Sequence, residues 1–203
     1  MSERAYPLNV AVLVFAGVSE LDLGTLLGLF GRAGERTTEP QGPRLLEVYT
    51  LARSRASVQG TAGLVLTPQY ALAAAPDPQL IVVPGGSGAE RAARDPQLRA
   101  YLSQHAGKDL AAIGGGALLL GEAGLLADQV VTARGGLAER LWSYQPAEVR
   151  GDLEVVHAPG RHFAQSGLAG VRLTLDLIAQ QLGEEAALEV ARSVGAAWAG
   201  LTD

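Results

Sequence analysis

The sequence predicts an α/β fold in which helices cover both faces of a mostly parallel sheet. Leu8–Phe15 is a nearly continuous apolar, β-branched run, which is typical of a strand buried on both faces. Further strand-like runs then alternate with helical segments, the pattern of a parallel sheet. The 203 residues contain no second composition zone, long linker or internal repeat. We therefore expect one domain over residues 1–203.

The elements are justified in chain order by apolar periodicity and by the Gly, Pro and Asp residues between them. The predicted strands are Leu8–Phe15, Leu45–Ala52, Leu80–Val83, Leu110–Ile113, Gln129–Thr132, Leu153–His157 and His162–Gln165, with a short hairpin formed by Ser57–Gly60 and Leu64–Thr67. The predicted helices are Leu21–Phe30, Ala89–Arg94, Asp95–Ala106, Gly116–Ala123, Leu137–Ser143, Leu168–Leu182 and Glu184–Val194. The polar stretch Gly31–Pro43 is predicted to be a surface loop.

Composition excludes several classes of protein. The net charge is −5 and the basic residues form no cluster, so we expect no nucleic-acid partner. No apolar run approaches the roughly 18–20 residues of a membrane span. The sequence has no cysteine, which excludes thiolate catalysis and disulfides, and its three histidines lack the spacing of metal ligands. The N-terminus does not resemble a signal peptide, so a cytoplasmic location is the expectation, with no metal and no cofactor.

Three segments follow predicted strands and should meet at one edge of the sheet. They are residues 16–22, residues 84–88 and the glycine run Gly114-Gly115-Gly116. Ligands of open α/β sheets bind beyond the carboxyl ends of the strands, so this meeting point is the candidate site. Each segment could also be an ordinary turn that needs glycine for positive φ. Leu119 and Arg91 occupy the last glycine position of the two candidate dinucleotide motifs, so a Rossmann role is unsupported.

The order and spacing of several motifs resemble the ThiJ/PfpI superfamily, and most closely its isocyanide-hydratase-like branch. The resemblance covers about residues 8–194 and is carried by VLVFAGVSELDL from Val12, IVVPGGSG from Ile81, AAIGGGALLLGEAGLL from Ala111, VVTARGG from Val130 and the long segment from Ala169. It implies a flavodoxin-like three-layer sandwich, and it implies a homodimer because relatives are commonly dimeric.

The resemblance also assigns positions to the site. The nucleophilic cysteine of the family falls on Gly114, and the acid that hydrogen-bonds its thiol falls on Asp22. The oxyanion-hole amides fall on Gly85, Gly86 and Gly115, and a histidine common in relatives falls on Arg134. Other family positions are also altered, at Thr25, Leu26, Gly28 and Arg172.

Two functions follow from this pattern as expectations. In the first, the chain is a catalytically degenerate member, a pseudoenzyme that binds a small molecule or a protein partner in the former active-site pocket. A nucleophile elbow strains a non-glycine residue by roughly 1–3 kcal/mol, and Gly114 would remove that strain. In the second, Asp22 acts as general base on water in a non-covalent hydratase or hydrolase.

Two residues keep alternative readings. Asp22 is either this remnant acid or the N-cap of the first helix. Arg134 could neutralise Asp22, bind an anion together with the glycine-turn amides, or lie on a solvated loop. Ser87 and Ser166 are placed in other loops, and no catalytic role is predicted for the three histidines.

Overall fold

A seven-stranded sheet forms the centre of the protein. The computed structural model describes residues 7–35 and 44–200. The strands are β1 (Leu8–Leu13), β2 (Leu46–Ala52), β3 (Val58–Gln59), β4 (Val65–Leu66), β5 (Tyr70–Ala71), β6 (Leu80–Val83), β7 (Asp109–Ile113), β8 (Val130–Thr132), β9 (Glu148–Arg150), β10 (Val155–Ala158) and β11 (Arg161–Ala164). The main sheet has the order β10-β11-β7-β6-β1-β2-β5, while β3–β4 and β8–β9 form two small pairs.

The central strands are parallel, as the sequence predicts. β1 pairs in parallel with β2 and β6, and β7 pairs in parallel with β6 and β11. Only the pair β10–β11 is antiparallel within this sheet. The side chains of β6 are all buried, because a strand covered on both faces excludes water from every position.

The part of the chain that the structure describes forms seven α-helices, which pack in two groups. They are α1 (Glu20–Gly34), α2 (Ala89–Ala93), α3 (Pro96–Gln104), α4 (Ala117–Glu122), α5 (Gly135–Leu141), α6 (Ala169–Leu182) and α7 (Glu184–Ser193). Helices α1, α6 and α7 contact one another, and α2, α3 and α5 each contact α4. These two groups form the outer layers, so the predicted α/β class with a mostly parallel sheet is confirmed.

The first helix differs from its prediction at both ends. Its N-cap is Ser19, whose Oγ accepts a hydrogen bond of 3.2 Å from the Asp22 N–H, so the capping role that was one of the two alternatives for Asp22 belongs to Ser19. The helix continues to Gly34 because Phe30 and Ala33 extend its buried face. The loop predicted over Gly31–Pro43 is therefore wrong for its first four residues, and residues 36–43 lie outside the described residues.

The strand order fixes the place where a ligand can enter. From β1 the chain moves outward to β2, and it returns to β6 on the other side of β1. Such a reversal leaves a crevice at the carboxyl ends of the two diverging strands. Over residues 7–35 and 44–200, no helix is both long and apolar enough to cross a membrane.

Candidate functional site

A cavity of about 420 Å³ opens at the carboxyl ends of β1, β6 and β7. Five segments meet there: the start of α1, the hairpin loop at Thr61, the glycine turn after β6 and the turns after β7 and β11. The lining residues are Ser19, Glu20, Leu21, Asp22, Thr61, Ala62, Gly85, Gly86, Gly115, Ser166 and Gly167. The topology thus brings together the three segments that the sequence predicts to meet.

Asp22 provides the buried carboxylate of the cavity. Its side chain is 3 % exposed, and its Oδ2 accepts a hydrogen bond of 2.8 Å from the Gly85 N–H. Burial raises the pKa of Asp22 above its usual value, and the hydrogen bonds with Gly85 and Ser19 offset this only in part. A carboxyl group with a raised pKa accepts a proton more readily than an exposed aspartate does.

Gly114 begins the turn after β7 with a φ of +49° and is buried. This left-handed conformation is costly for a residue with a side chain and free of steric cost for glycine. A Cβ at position 114 would lie 3.2 Å from the Cβ of Ser166. The space that a side chain of residue 114 would enter is therefore bordered closely by Ser166.

The three backbone amides implied by the resemblance are not equivalent. The Gly85 N–H donates to Asp22, so it is engaged by the carboxylate rather than by a ligand. Gly86 has a φ of +134°, and a Cβ there would lie 2.2 Å from the Gly17 carbonyl oxygen, so only glycine fits. Gly86 and Gly115 both line the cavity.

Arg134 lies apart from these residues. It is exposed at the start of α5, and its Nε donates a hydrogen bond of 2.9 Å to the Gly151 carbonyl oxygen. It is absent from the residues that line the cavity within the described part of the chain. The structure therefore brings Asp22, Gly85, Gly86 and Gly115 to the wall of the cavity, with Gly114 next to Gly115 but not in the lining, and it leaves Arg134 outside.

Ser166 is the residue of the cavity that the sequence analysis placed in another loop. It follows β11, whose Ala164 pairs in parallel with Ile113 at the end of β7. Two neighbouring parallel strands end at the same edge of a sheet, so the residues that follow them become neighbours. A sequence-based prediction that β11 pairs in parallel with β7 would have placed Ser166 at the cavity.

A hairpin loop forms one rim of the cavity. Glu20 Oε1 accepts hydrogen bonds from the N–H groups of Ala62 (2.7 Å) and Leu64 (3.2 Å). Thr61 Oγ1 donates to the Gly17 carbonyl oxygen over 2.8 Å. The start of α1 therefore holds the loop between β3 and β4 beside the pocket.

The available chemistry is that of hydrogen bonding and proton transfer. Asp22 and Ser166 provide oxygen atoms, and the chain has no cysteine that could supply a thiolate. Among the described residues, no group of three His, Cys, Asp or Glu side chains is arranged to hold a metal ion.

Comparison with known proteins identifies the fold as a familiar one. A protein of the ThiJ/PfpI family from Pseudomonas syringae superposes with a TM-score of 0.81 at 23% identity, over 92% of this chain and 74% of that one. Drosophila melanogaster DJ-1beta superposes with a TM-score of 0.82 at 18% identity, over 94% and 99%. An AraC family transcriptional regulator from Pseudomonas putida gives 0.77 at 22%, over 93% and 100%.

The structural likenesses show the fold, and comparison of the sequence with family models shows the family. No curated protein matches this sequence. The model of the DJ-1/PfpI family matches residues 8–164. This range includes every predicted site residue and every segment of the cavity except the turn after β11, which carries Ser166 and Gly167. The chain therefore belongs to the DJ-1/PfpI family.

Proposed function

We propose that this protein is a catalytically degenerate member of the isocyanide-hydratase-like branch, which binds a small polar molecule in the cavity beside Gly114. One observation carries the proposal. The elbow position that holds the nucleophile in the family pattern is here a glycine with a φ of +49°, while a cavity of about 420 Å³ remains open beside it. The pocket thus retains space for a ligand but has no sulfur for covalent catalysis.

The lining supports a small ligand that both accepts and donates hydrogen bonds. Gly86 and Gly115 place main chain at the wall of the cavity. Five lining side chains carry oxygen atoms, those of Ser19, Glu20, Asp22, Thr61 and Ser166. Binding pockets of several hundred Å³ with a few polar groups are typical of small-molecule sites. One of the structural relatives is named as a transcriptional regulator, so the fold is also found in a protein whose name gives a regulatory role.

Enzyme assays test the loss of catalysis. An isocyanide, methylglyoxal and a small amide are offered to the wild type, to Gly114→Cys and to Gly114→Cys combined with Ser166→Gly. The second substitution removes the Cβ that would lie 3.2 Å from a side chain at position 114. We expect no turnover by the wild type beyond the background without protein.

The control for these assays is Gly114→Ala combined with Ser166→Gly, which adds the Cβ without sulfur. Wild-type turnover that exceeds the background and equals that of the thiol variants would refute the proposal of degeneracy. A thiol whose alkylation rate titrates well below the roughly 8.5 of a free cysteine would show that the pocket can still activate a nucleophile.

Ligand binding is tested separately from turnover. Ligand-observed NMR with a library of small polar fragments should give hits that Ser166→Leu abolishes, because the added side chain fills the cavity. Ser103→Leu is the matched control, since Ser103 is exposed on α3 and bonds the Ala123 carbonyl oxygen instead. Hits that survive Ser166→Leu would place the binding site elsewhere, and an absence of hits would contradict the proposed pocket.

A second candidate function is favoured by the raised pKa of Asp22. We infer that, if the wild type turns over any of the three substrates, Asp22 acts as a general base on water in a non-covalent hydratase or hydrolase. A base is most effective when its pKa approaches the working pH. Asp22→Asn should then lower the rate by about 100-fold or more, and an unchanged rate would refute this mechanism.

A further inference from the structure

A second cavity lies at the carboxyl ends of β1 and β2, on the side of the sheet covered by α2 and α3. Its volume is about 410 Å³. Residues after β1, residues after β2 and one face of the α2–α3 pair form its walls. The lining residues are Val14, Phe15, Ala16, Ala52, Arg53, Ser54, Ala56, Val58, Arg91, Ala92, Asp95 and Leu98.

The floor of this second cavity is apolar. Phe15, Ala52 and Leu98 are each less than a tenth exposed, and they belong to the continuous hydrophobic core. Such a floor favours the apolar part of a ligand, because the ligand's hydrocarbon leaves water when it packs against these side chains.

Two guanidinium groups lie at the rim of the cavity, and each makes a long polar contact with a neighbouring oxygen atom. Arg53 Nη1 lies 3.5 Å from Asp95 Oδ2, and Arg91 Nη2 lies 3.3 Å from the Ala16 carbonyl oxygen. A guanidinium has five N–H donors, so these single contacts leave donors that can turn toward a ligand. Both arginines are exposed, and reorienting them costs little packing.

Asp95 reduces the positive charge at the rim but does not cancel it. Its Oδ1 already accepts hydrogen bonds from Gln97 N (2.9 Å) and Leu98 N (3.4 Å) at the start of α3. Two guanidiniums therefore face one carboxylate that is shared with a helix terminus. This local excess of positive charge contrasts with the net charge of −5 of the whole chain.

We propose that this cavity is a second binding site, for a small organic monocarboxylate with an apolar body. The carboxylate is bound by Arg53 and Arg91, because the planar guanidinium matches the two oxygens of a carboxylate. The hydrocarbon part covers Phe15 and Leu98. One negative charge matches the excess of one positive charge at the rim.

This site is separate from the cavity of the proposed function. Ala16 lines the second cavity, whereas Ser19 and Asp22 line the first. Between them Gly17 and Gly88 are in close contact, with the Gly88 N–H donating to the Gly17 carbonyl oxygen over 3.0 Å. The carboxylate site does not depend on Gly114 or on turnover, so either proposal can fail alone.

Isothermal calorimetry and amide chemical shifts of the labelled full chain test the site with acetate, butanoate, hexanoate and octanoate. We expect affinity to rise with chain length, with hexanoate bound at least tenfold more tightly than acetate, because each buried methylene adds affinity. Hexanoate should shift the amide signals of Ala16, Ser54 and Arg91. Hexan-1-ol, which has the same chain length and no charge, should bind at least tenfold more weakly than hexanoate.

Substitutions then test whether Arg53 and Arg91 bind the carboxylate. Arg53→Gln and Arg91→Gln should each weaken hexanoate binding about fivefold or more. Arg94→Gln is the matched control, because Arg94 follows α2 but pairs with Glu90 and does not line the cavity. Circular dichroism confirms that each variant is folded.

Three results would overturn the proposal. Hexan-1-ol bound as tightly as hexanoate would show that charge is not recognised. Unchanged affinity in both Arg53→Gln and Arg91→Gln would remove the proposed partners. Shifts confined to Ser19, Asp22 and Gly115, or no binding up to about 10 mM ligand, would show that hexanoate does not use this cavity.

Discussion

Two histidine rings face each other across the β10–β11 turn. His157 Nδ1 and His162 Nδ1 are 3.0 Å apart, and His157 Nε2 lies 3.1 Å from Asp176 Oδ2. Because a carboxylate only accepts hydrogen bonds, neutral His157 carries its proton on Nε2, and His162 then donates from Nδ1. The sequence predicts both flanking strands but no contact between these histidines. Their register, His157 opposite His162, is set by the turn between the strands.

His162 should make stability depend on pH. Burial lowers the pKa of His162 from 6.5 to about 4, with a further lowering by His157 and Arg161 and an opposing effect of Asp109. The unfolded chain therefore binds a proton at a higher pH than the native chain does. The contribution of His162 to the free energy of unfolding is complete above pH 6.5. It declines as the pH falls toward 4, by at most about 3 kcal/mol.

Urea unfolding of the wild type and of His162→Gln between pH 4 and 7.5 measures this contribution. The free energy of unfolding of His162→Gln should vary less with pH than that of the wild type. His105→Gln removes a histidine from the end of α3 and controls for the loss of an imidazole. Equal slopes for the wild type and His162→Gln would contradict the assignment.

At the scale of elements, the start of α1 positions the rim of the first cavity. Desolvation acts to raise the pKa of Glu20, but hydrogen bonds from backbone N–H groups of Glu20, Ala62, Leu64 and Gly63 lower it below its usual value. A carboxyl group whose pKa is lowered by folding stabilises the native state at pH values above its ordinary pKa of 4.5. This stabilisation is lost as the pH falls through the lowered pKa. The charged form of Glu20 therefore holds the hairpin loop.

Hydrogen exchange should reveal this attachment. Glu20→Ala removes the acceptor of the Ala62 and Leu64 N–H groups, so we expect these two amides to exchange severalfold faster at neutral pH. Glu90→Ala is the control, because Glu90 is exposed and pairs with Arg94 and Arg140 on another face. Unchanged protection of Ala62 and Leu64 would mean that the loop is held by its other contacts alone.

Elements were predictable where a local signal specifies them. The apolar runs of β1 and β6 and the Asp95-Pro96 start of α3 encode their structure within a few residues. The capping role of Ser19 was missed because Ser19 and Asp22 are both good N-caps, and the sequence does not fix the first helical turn. The cavity depends on residues brought together by strand order, so Ser166 and Thr61 could not be found from local patterns.

At the scale of the whole molecule, one apolar face suggests how two copies could associate. Leu21 is 57% exposed and Val194 is 41% exposed, and both border a cavity of about 480 Å³ beside Gly24 and Gly28 of α1. Exposed apolar patches often mark protein interfaces. The expected homodimer would cover this face.

Light scattering coupled to size exclusion tests the dimer. Gly28→Arg should shift the protein toward the monomer, because a charged side chain would enter the proposed interface. A Cβ at Gly28 meets no atom within 4 Å, so the substitution leaves the fold of one chain intact. Gly107→Arg is the matched control, because a Cβ there also meets no atom within 4 Å and Gly107 follows α3 in the other group of helices, so the mass should be unchanged. A wild type that elutes as a monomer would contradict the expectation.

The close approach of Ser166 to position 114 couples the two residues. A Cβ at position 114 would lie 3.2 Å from the Ser166 Cβ, so Ser166 would have to give way by a few tenths of an ångström. The cost of a side chain at 114 therefore depends on which residue occupies position 166. Substitutions at the two positions should be non-additive, so the pair behaves as one unit of sequence change.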